Sequence, residues 1–159
     1  MSKQNFVKLI ISIALCLLAG VLGSIFTTPQ INTWYATLIK PIWSPANNWF
    51  GPVWTLLFIL MGVAAYYIWE EIPNRAKAAK SALLIFYIHL LANTLWSFLF
   101  FGLNNPGLGF IWIIILWLLI LITMIKFWQV KKLAALILLP YLFWVSFAAY
   151  LNFVIWRLN

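Results

Sequence analysis

The chain has 159 residues, 66% of them hydrophobic and only 8% charged, with a mean hydropathy of +1.03. That excludes a water-soluble fold, which needs more polar surface than this, and the length allows one domain. The formal charge of +8 does not indicate nucleic acid, because the basic residues stand singly or in short groups at the ends of apolar runs, where they act as topology signals.

The first apolar run, about residues 5–26, is long for the hydrophobic part of a secretory leader and is expected to be a retained membrane helix. It carries Cys16, the only cysteine, so no intrachain disulfide can form. Ala19, Gly20, Gly23 and Ser24 place small residues at i, i+4 spacing, which lets a helix of the same subunit or of a second copy approach closely. Next comes WYATLIKPIWSPANNWFGPVW, Trp34 to Trp54, with four of the eleven tryptophans, three prolines and a single charge, Lys40. A segment this aromatic is neither a polar linker nor disordered. It reads as a lid or wall over a site formed by the helices.

The second span is expected over about 52–69, with Pro52 in its first turn, where a missing N–H costs nothing. Trp54, Phe58, Met61 and Ala65 share one face of it. Glu70, Glu71, Pro73, Asn74, Arg75, Lys77 and Lys80 then form a polar connection. The third span, about 81–101, carries His89 and Asn93 one turn apart, with Trp96 and Ser97 following on the same side. Buried in hydrocarbon, such groups need partners and should face the bundle interior. Asn93 and Trp96 are therefore candidates for interhelical hydrogen bonds and for ligand contact alike. His89 as an axial haem ligand is a lesser alternative.

After a turn at 102–107, the fourth span, about 108–128, is apolar all round and reads as structural. The fifth, about 133–156, contains Pro140, which should bend it or loosen one turn. Trp144, Phe147, Ala148 and Leu151 share a face that suits either helix packing or the wall of a flat pocket. Five spans put the termini on opposite sides. Lys3, Lys8, Arg75, Lys77, Lys80, Lys126, Lys131 and Lys132 fall on the N-terminal side, against Lys40 and Arg157 on the other. The N-terminus is thus expected in the cytoplasm of a prokaryotic cell, with the first connection and the C-terminus opposite.

The only carboxylate side chains are Glu70 and Glu71. No carboxylate pair, metal-ligand cluster or nucleophile–base set can be assembled, and no phosphate-binding glycine loop is present. An ordinary hydrolase, kinase or ion-driven pump is poorly supported. What remains is a dense aromatic set, suited to a large, flat, apolar ligand. Tryptophan is also photochemically active, so light-driven chemistry on a bound pigment is a second reading.

WYATLIKPIW, FGPVW, LMGVAAYYIW (Leu60 to Trp69), Asn93 with Trp96 and Ser97, and PYLFWVSFAAYLN (Pro140 to Asn152) occur in order along nearly the whole chain. On these motifs the sequence resembles the translocator protein family, also called tryptophan-rich sensory proteins or peripheral benzodiazepine receptors. The resemblance implies an all-α bundle of five transmembrane helices with a long structured loop between the first two, usually a homodimer. It implies a receptor or transport role in binding porphyrins, namely protoporphyrin IX and haem, with sterols or other lipids and synthetic benzodiazepine-receptor ligands as further partners. No cofactor is required, the porphyrin being a ligand. The implied pocket comprises Tyr35, Trp43, Pro45, Trp54, Phe58, Asn93, Trp96, Trp144, Phe147, Ala148 and Leu151. Trp54 and Trp144 match the tryptophans of the family's proposed light-dependent porphyrin degradation. Three positions depart from the family: Pro45–Ala46 replaces paired prolines, Trp112 replaces an acidic residue, and six residues separate Tyr150 from Arg157, one too many for the sterol motif.

Overall fold

Five helical stretches long and apolar enough to cross a bilayer account for most of residues 3–159, the part of the chain that this computed structural model describes. Residues 1 and 2, included in the expected single domain, lie outside the described residues. In chain order the helices are α1 (Lys3–Ile31), a one-turn α2 (Trp34–Thr37), α3 (Asn47–Glu70), α4 (Ile72–Ser97), α5 (Pro106–Val130), α6 (Lys132–Ile137) and α7 (Leu139–Leu158). A π-helical turn, Phe98–Gly102, extends α4, and α6 with α7 makes the fifth span.

Several boundaries differ from those expected, each for a local reason. The first helix runs beyond residue 26 and through Pro29, with the Thr33 hydroxyl donating to the Pro29 carbonyl (2.8 Å) just past its end. The second spanning helix begins at Asn47, behind the extended Ala46, so Pro52 sits in its second turn and not its first. The connection between these two helices is thereby reduced to residues 32–46. The expected polar connection at 70–80 is largely helical from Ile72, broken only at Arg75 (φ −140°, ψ 49°). That break turns the Arg75 guanidinium to donate to the Gln129 carbonyl at 3.0 Å. It thus satisfies an end carbonyl of α5 and complements the negative end of that helix. Pro140 acts as expected but more sharply: the helix divides at Leu138, and the proline falls in the first turn of α7.

The core lies between α3, α4, α5 and α7, where Met61, Ile68, Phe86, Phe127, Ile120, Tyr141 and Val145 are fully buried. Helices α1 and α3 approach closely at Gly62, where an added Cβ would lie 2.5 Å from the Ile13 Cα. At the end of the bundle where α1 starts, both carboxylates tie helices together. Glu70 receives Lys8 (3.5 Å), the Asn5 amide (3.0 Å) and the Tyr66 hydroxyl (3.0 Å). Glu71 receives Lys131 (2.9 Å), whose hydrogen bond holds that carboxyl below the ordinary carboxylate range. At the other end, the Asn159 side chain pairs with both the N–H and the C=O of Ile39, each at 3.0 Å. The first connection and the end of α7 therefore share one face of the bundle, as five crossings require.

Candidate ligand site

A cavity of about 550 Å³ opens between α1, the start of α3, the end of α4 with its π turn, and α7. Ala19, Gly20, Gly23 and Ser24 lie along its α1 wall. At Gly20 the Phe58 ring occupies the room that a side chain would fill, a Cβ there coming within 2.6 Å of it. Three hydroxyls along the wall turn back onto their own helices: Ser24 to the Val21 carbonyl (2.7 Å), Thr27 to Gly23 (3.2 Å) and Thr55 to Gly51 (2.9 Å). With those donors engaged, the walls present mostly methyl and ring carbon.

The aromatic side of the cavity is set by the π turn. A widened turn at Phe98–Gly102 brings Phe100 and Phe101 together, ring centroids 4.8 Å apart, with Trp96 stacked on Phe100 at 5.2 Å and Tyr35 against Phe101 at 5.5 Å. The Trp96 indole N–H is shared between the Gly109 carbonyl (3.1 Å) and the Asn152 side-chain oxygen (3.3 Å), while the Asn152 amide donates to Pro106 (2.9 Å). Tyr35 is fixed from the other side by Lys40, which donates to the carbonyls of Tyr35 (2.6 Å) and Leu38 (3.0 Å) and lies over the Tyr35 ring. Burial pushes the Tyr35 phenol above its ordinary pKa. Among the described residues, those that line it include no carboxylate, lysine, arginine or histidine. It can bind a flat apolar molecule by contact and stacking, and it offers neither a nucleophile with its base nor a charge to steer a reaction.

Six of the residues singled out from sequence line this cavity: Tyr35, Trp54, Phe58, Trp96, Ala148 and Leu151. Trp43, Pro45, Asn93, Trp144 and Phe147 do not. Trp43 stacks on Tyr150 (5.4 Å, 8°) and meets Phe147 edge-on (6.0 Å), which ties the first connection to the outside of α7. Trp144 packs behind Phe50 (6.0 Å) and against Phe147 (5.6 Å), its indole N–H buried without a hydrogen bond. The Asn93 amide donates to the Tyr141 hydroxyl at 2.7 Å, an interhelical hydrogen bond between α4 and α7. His89 is fully buried between Phe86 and Tyr141, with Nδ1 3.1 Å from the Thr123 hydroxyl, and is not part of the cavity wall. Trp112, at the position where an acid was expected, donates its indole N–H to the Ala92 carbonyl at 2.7 Å.

Other lining residues were not singled out. The face of α1 from Leu17 to Ile31 forms a whole wall, and Phe50, Phe100, Phe101 and Asn152 contribute as well. The small residues Ala19, Gly20, Gly23 and Ser24 were the available signal, but read alone they indicate only close helix approach. Gly23 is indeed used that way, facing the Ser97 hydroxyl across to α4.

Fold and cavity together define an integral membrane protein of five helical spans with an aromatic, uncharged cavity at one end of the bundle. Residues 12–157 match the model of the TspO/MBR family. Over its whole length the chain is 43% identical to the Tryptophan-rich protein TspO of Chlorobaculum tepidum, covering 99% of that protein. It is 34% identical to the human Translocator protein, over 86% of this chain and 81% of the relative. It is also 34% identical to the Tryptophan-rich sensory protein of Cereibacter sphaeroides, over 80% and 78% of the two chains. The chain belongs to the TspO/MBR family.

Proposed function

We propose that the protein is a membrane receptor or translocator-type protein that binds porphyrins such as protoporphyrin IX and haem, and related flat apolar ligands, in this cavity. The observation that carries the reading is the lining itself. Rings from Tyr35, Trp54, Phe58, Trp96, Phe100 and Phe101 surround an uncharged space of about 550 Å³, within the roughly 300–1,000 Å³ usual for pockets that bury most of a ligand. The names of its relatives, a translocator and a sensory protein, support a role in transport or regulation. A homodimer in a prokaryotic cell membrane, with the N-terminus cytoplasmic and the residue 32–46 connection outside as a structured lid, completes the reading. Protoporphyrin IX titrated into the purified protein should quench tryptophan fluorescence saturably, at one site per chain. Absence of saturable quenching would remove the proposal.

Trp54 gives one specific reason to keep light-dependent porphyrin degradation as a second reading, since its indole stands in the cavity wall. In that case illumination of the complex should bleach the porphyrin spectrum, and Trp54→Phe should slow the bleaching. Trp144 does not line the cavity, so Trp144→Phe should slow it less. Equal rates in wild type and Trp54→Phe would exclude this chemistry.

A further inference from the structure

The end of the bundle opposite the cavity is basic. There a groove of about 330 Å³ separates the start of α4 from the end of α5 and is lined by Lys77, Ala78, Ser81, Lys126, Gln129 and Val130. Helical spacing produces the arrangement. Lys77 and Ser81 are four residues apart on α4, while Lys126, Gln129 and Val130 follow i, i+3, i+4 on α5, so each helix turns one face toward the groove. The lining holds two cationic and two neutral hydrogen-bonding side chains and no carboxylate.

Among the described residues neither lysine forms an ion pair. The whole chain has two carboxylate side chains. Glu70 is engaged by Lys8, Asn5 and Tyr66, and Glu71 by Lys131. Like charges lining one groove repel unless an anion joins them. Lys126 is also half-buried and stands one helical turn short of the end of α5. That is about 6 Å toward the hydrocarbon, at 1.5 Å per residue, the depth from which a lysine reaches up to the headgroup layer.

What lies beneath the groove decides between a free anion and a lipid. One to two turns further along the bundle the same faces continue as Leu84 and Ile88 on α4 and Ile122 on α5, all exposed. A dissolved phosphate has no use for such a track, whereas two acyl chains would cover it. We infer that this groove is a binding site for an anionic phospholipid, its phosphate held by Lys77 and Lys126 with Ser81 and Gln129, and its chains lying along Leu84, Ile88 and Ile122. Basic pockets between spanning helices are suited to such headgroups. The inference does not depend on what the cavity binds.

The test uses delipidated full-length protein in a neutral detergent, titrated with phosphatidylglycerol or phosphatidylcholine and read by native mass spectrometry. Wild type should take up one phosphatidylglycerol per chain in clear preference to phosphatidylcholine. Lys77→Ala with Lys126→Ala should weaken that binding by roughly thirtyfold, the size expected of two basic side chains at an anionic surface. Lys77→Arg with Lys126→Arg should retain it, and the exposed Lys3→Ala with Lys132→Ala should change it less than threefold. Equal uptake of the two lipids by wild type would overturn the inference. So would an equal loss in the Lys3/Lys132 control, which would mean diffuse charge. Displacement of the lipid by millimolar glycerol 3-phosphate would assign the groove to a soluble phosphate and overturn the lipid assignment.

Discussion

The Asn93–Tyr141 hydrogen bond offers a sharp test of how the bundle interior is built. It joins α4 to α7 at 2.7 Å, with Asn93 5% exposed and Tyr141 fully buried. Tyr141→Phe removes only the hydroxyl and leaves the ring packed against Trp54 (6.2 Å) and His89 (5.7 Å). The Asn93 amide then faces hydrocarbon with its donor unmet. Hydrogen bonds between membrane helices average about 0.6 kcal/mol and reach about 1.7. A buried group left unpaired costs about 1–3 kcal/mol. We therefore expect Tyr141→Phe and Asn93→Leu each to destabilise by about 1–2 kcal/mol. The double variant should cost well under the sum, giving a coupling of about 1 kcal/mol. The assay is reversible unfolding in mixed micelles, with a porphyrin titration on each variant. Affinity should stay within about twofold, because Asn93 does not line the cavity. Additive single effects, or a tenfold loss of affinity in Asn93→Leu, would refute the reasoning.

Gly62→Ala should destabilise by about 1–3 kcal/mol through overpacking, since its Cβ would meet the Ile13 backbone, whereas Gly51→Ala, with nothing within 4 Å, should be neutral or mildly stabilising. Thermal unfolding of both variants checks this. The Glu71–Lys131 pair should give a pH-dependent increment of stability. The folded carboxyl is held low, so the increment is complete above the unfolded carboxyl pKa of about 4.3 and fades as pH falls through the lower folded value. Lys131→Met should remove that acid-side dependence, seen by comparing unfolding midpoints from pH 7 down to 3.

The five spans were legible because hydropathy and length alone specify them, and Pro140 announced the break in the last. Their ends were not, because tertiary partners decide them. Arg75 breaks a helix in order to reach the Gln129 carbonyl, and no local pattern encodes that reach. The site was half legible. Trp54, Phe58, Ala148 and Leu151 emerged from 3.6-residue spacing, and Tyr35 from the motif resemblance. The α1 wall was missed because Gly20 and Ser24 mark close approach equally well whether the neighbour is a helix or a cavity. Phe100 and Phe101 were missed because FLFFG reads as the tail of an ordinary helix, and only a π turn gathers those rings. Trp43 and Trp144 carry the motif but pack behind the site, on Tyr150 and Phe50.

The central claim is that a flat porphyrin occupies this cavity, and filling it tests that most directly. Ala148 lies in the wall and Trp144, one turn away on the same helix, does not. Protoporphyrin IX titrated against wild type, Ala148→Phe and Trp144→Phe should show tight saturable binding in the first and third, and at least tenfold weaker binding in the second. Undiminished binding in Ala148→Phe, with its fold intact by circular dichroism, would contradict the account.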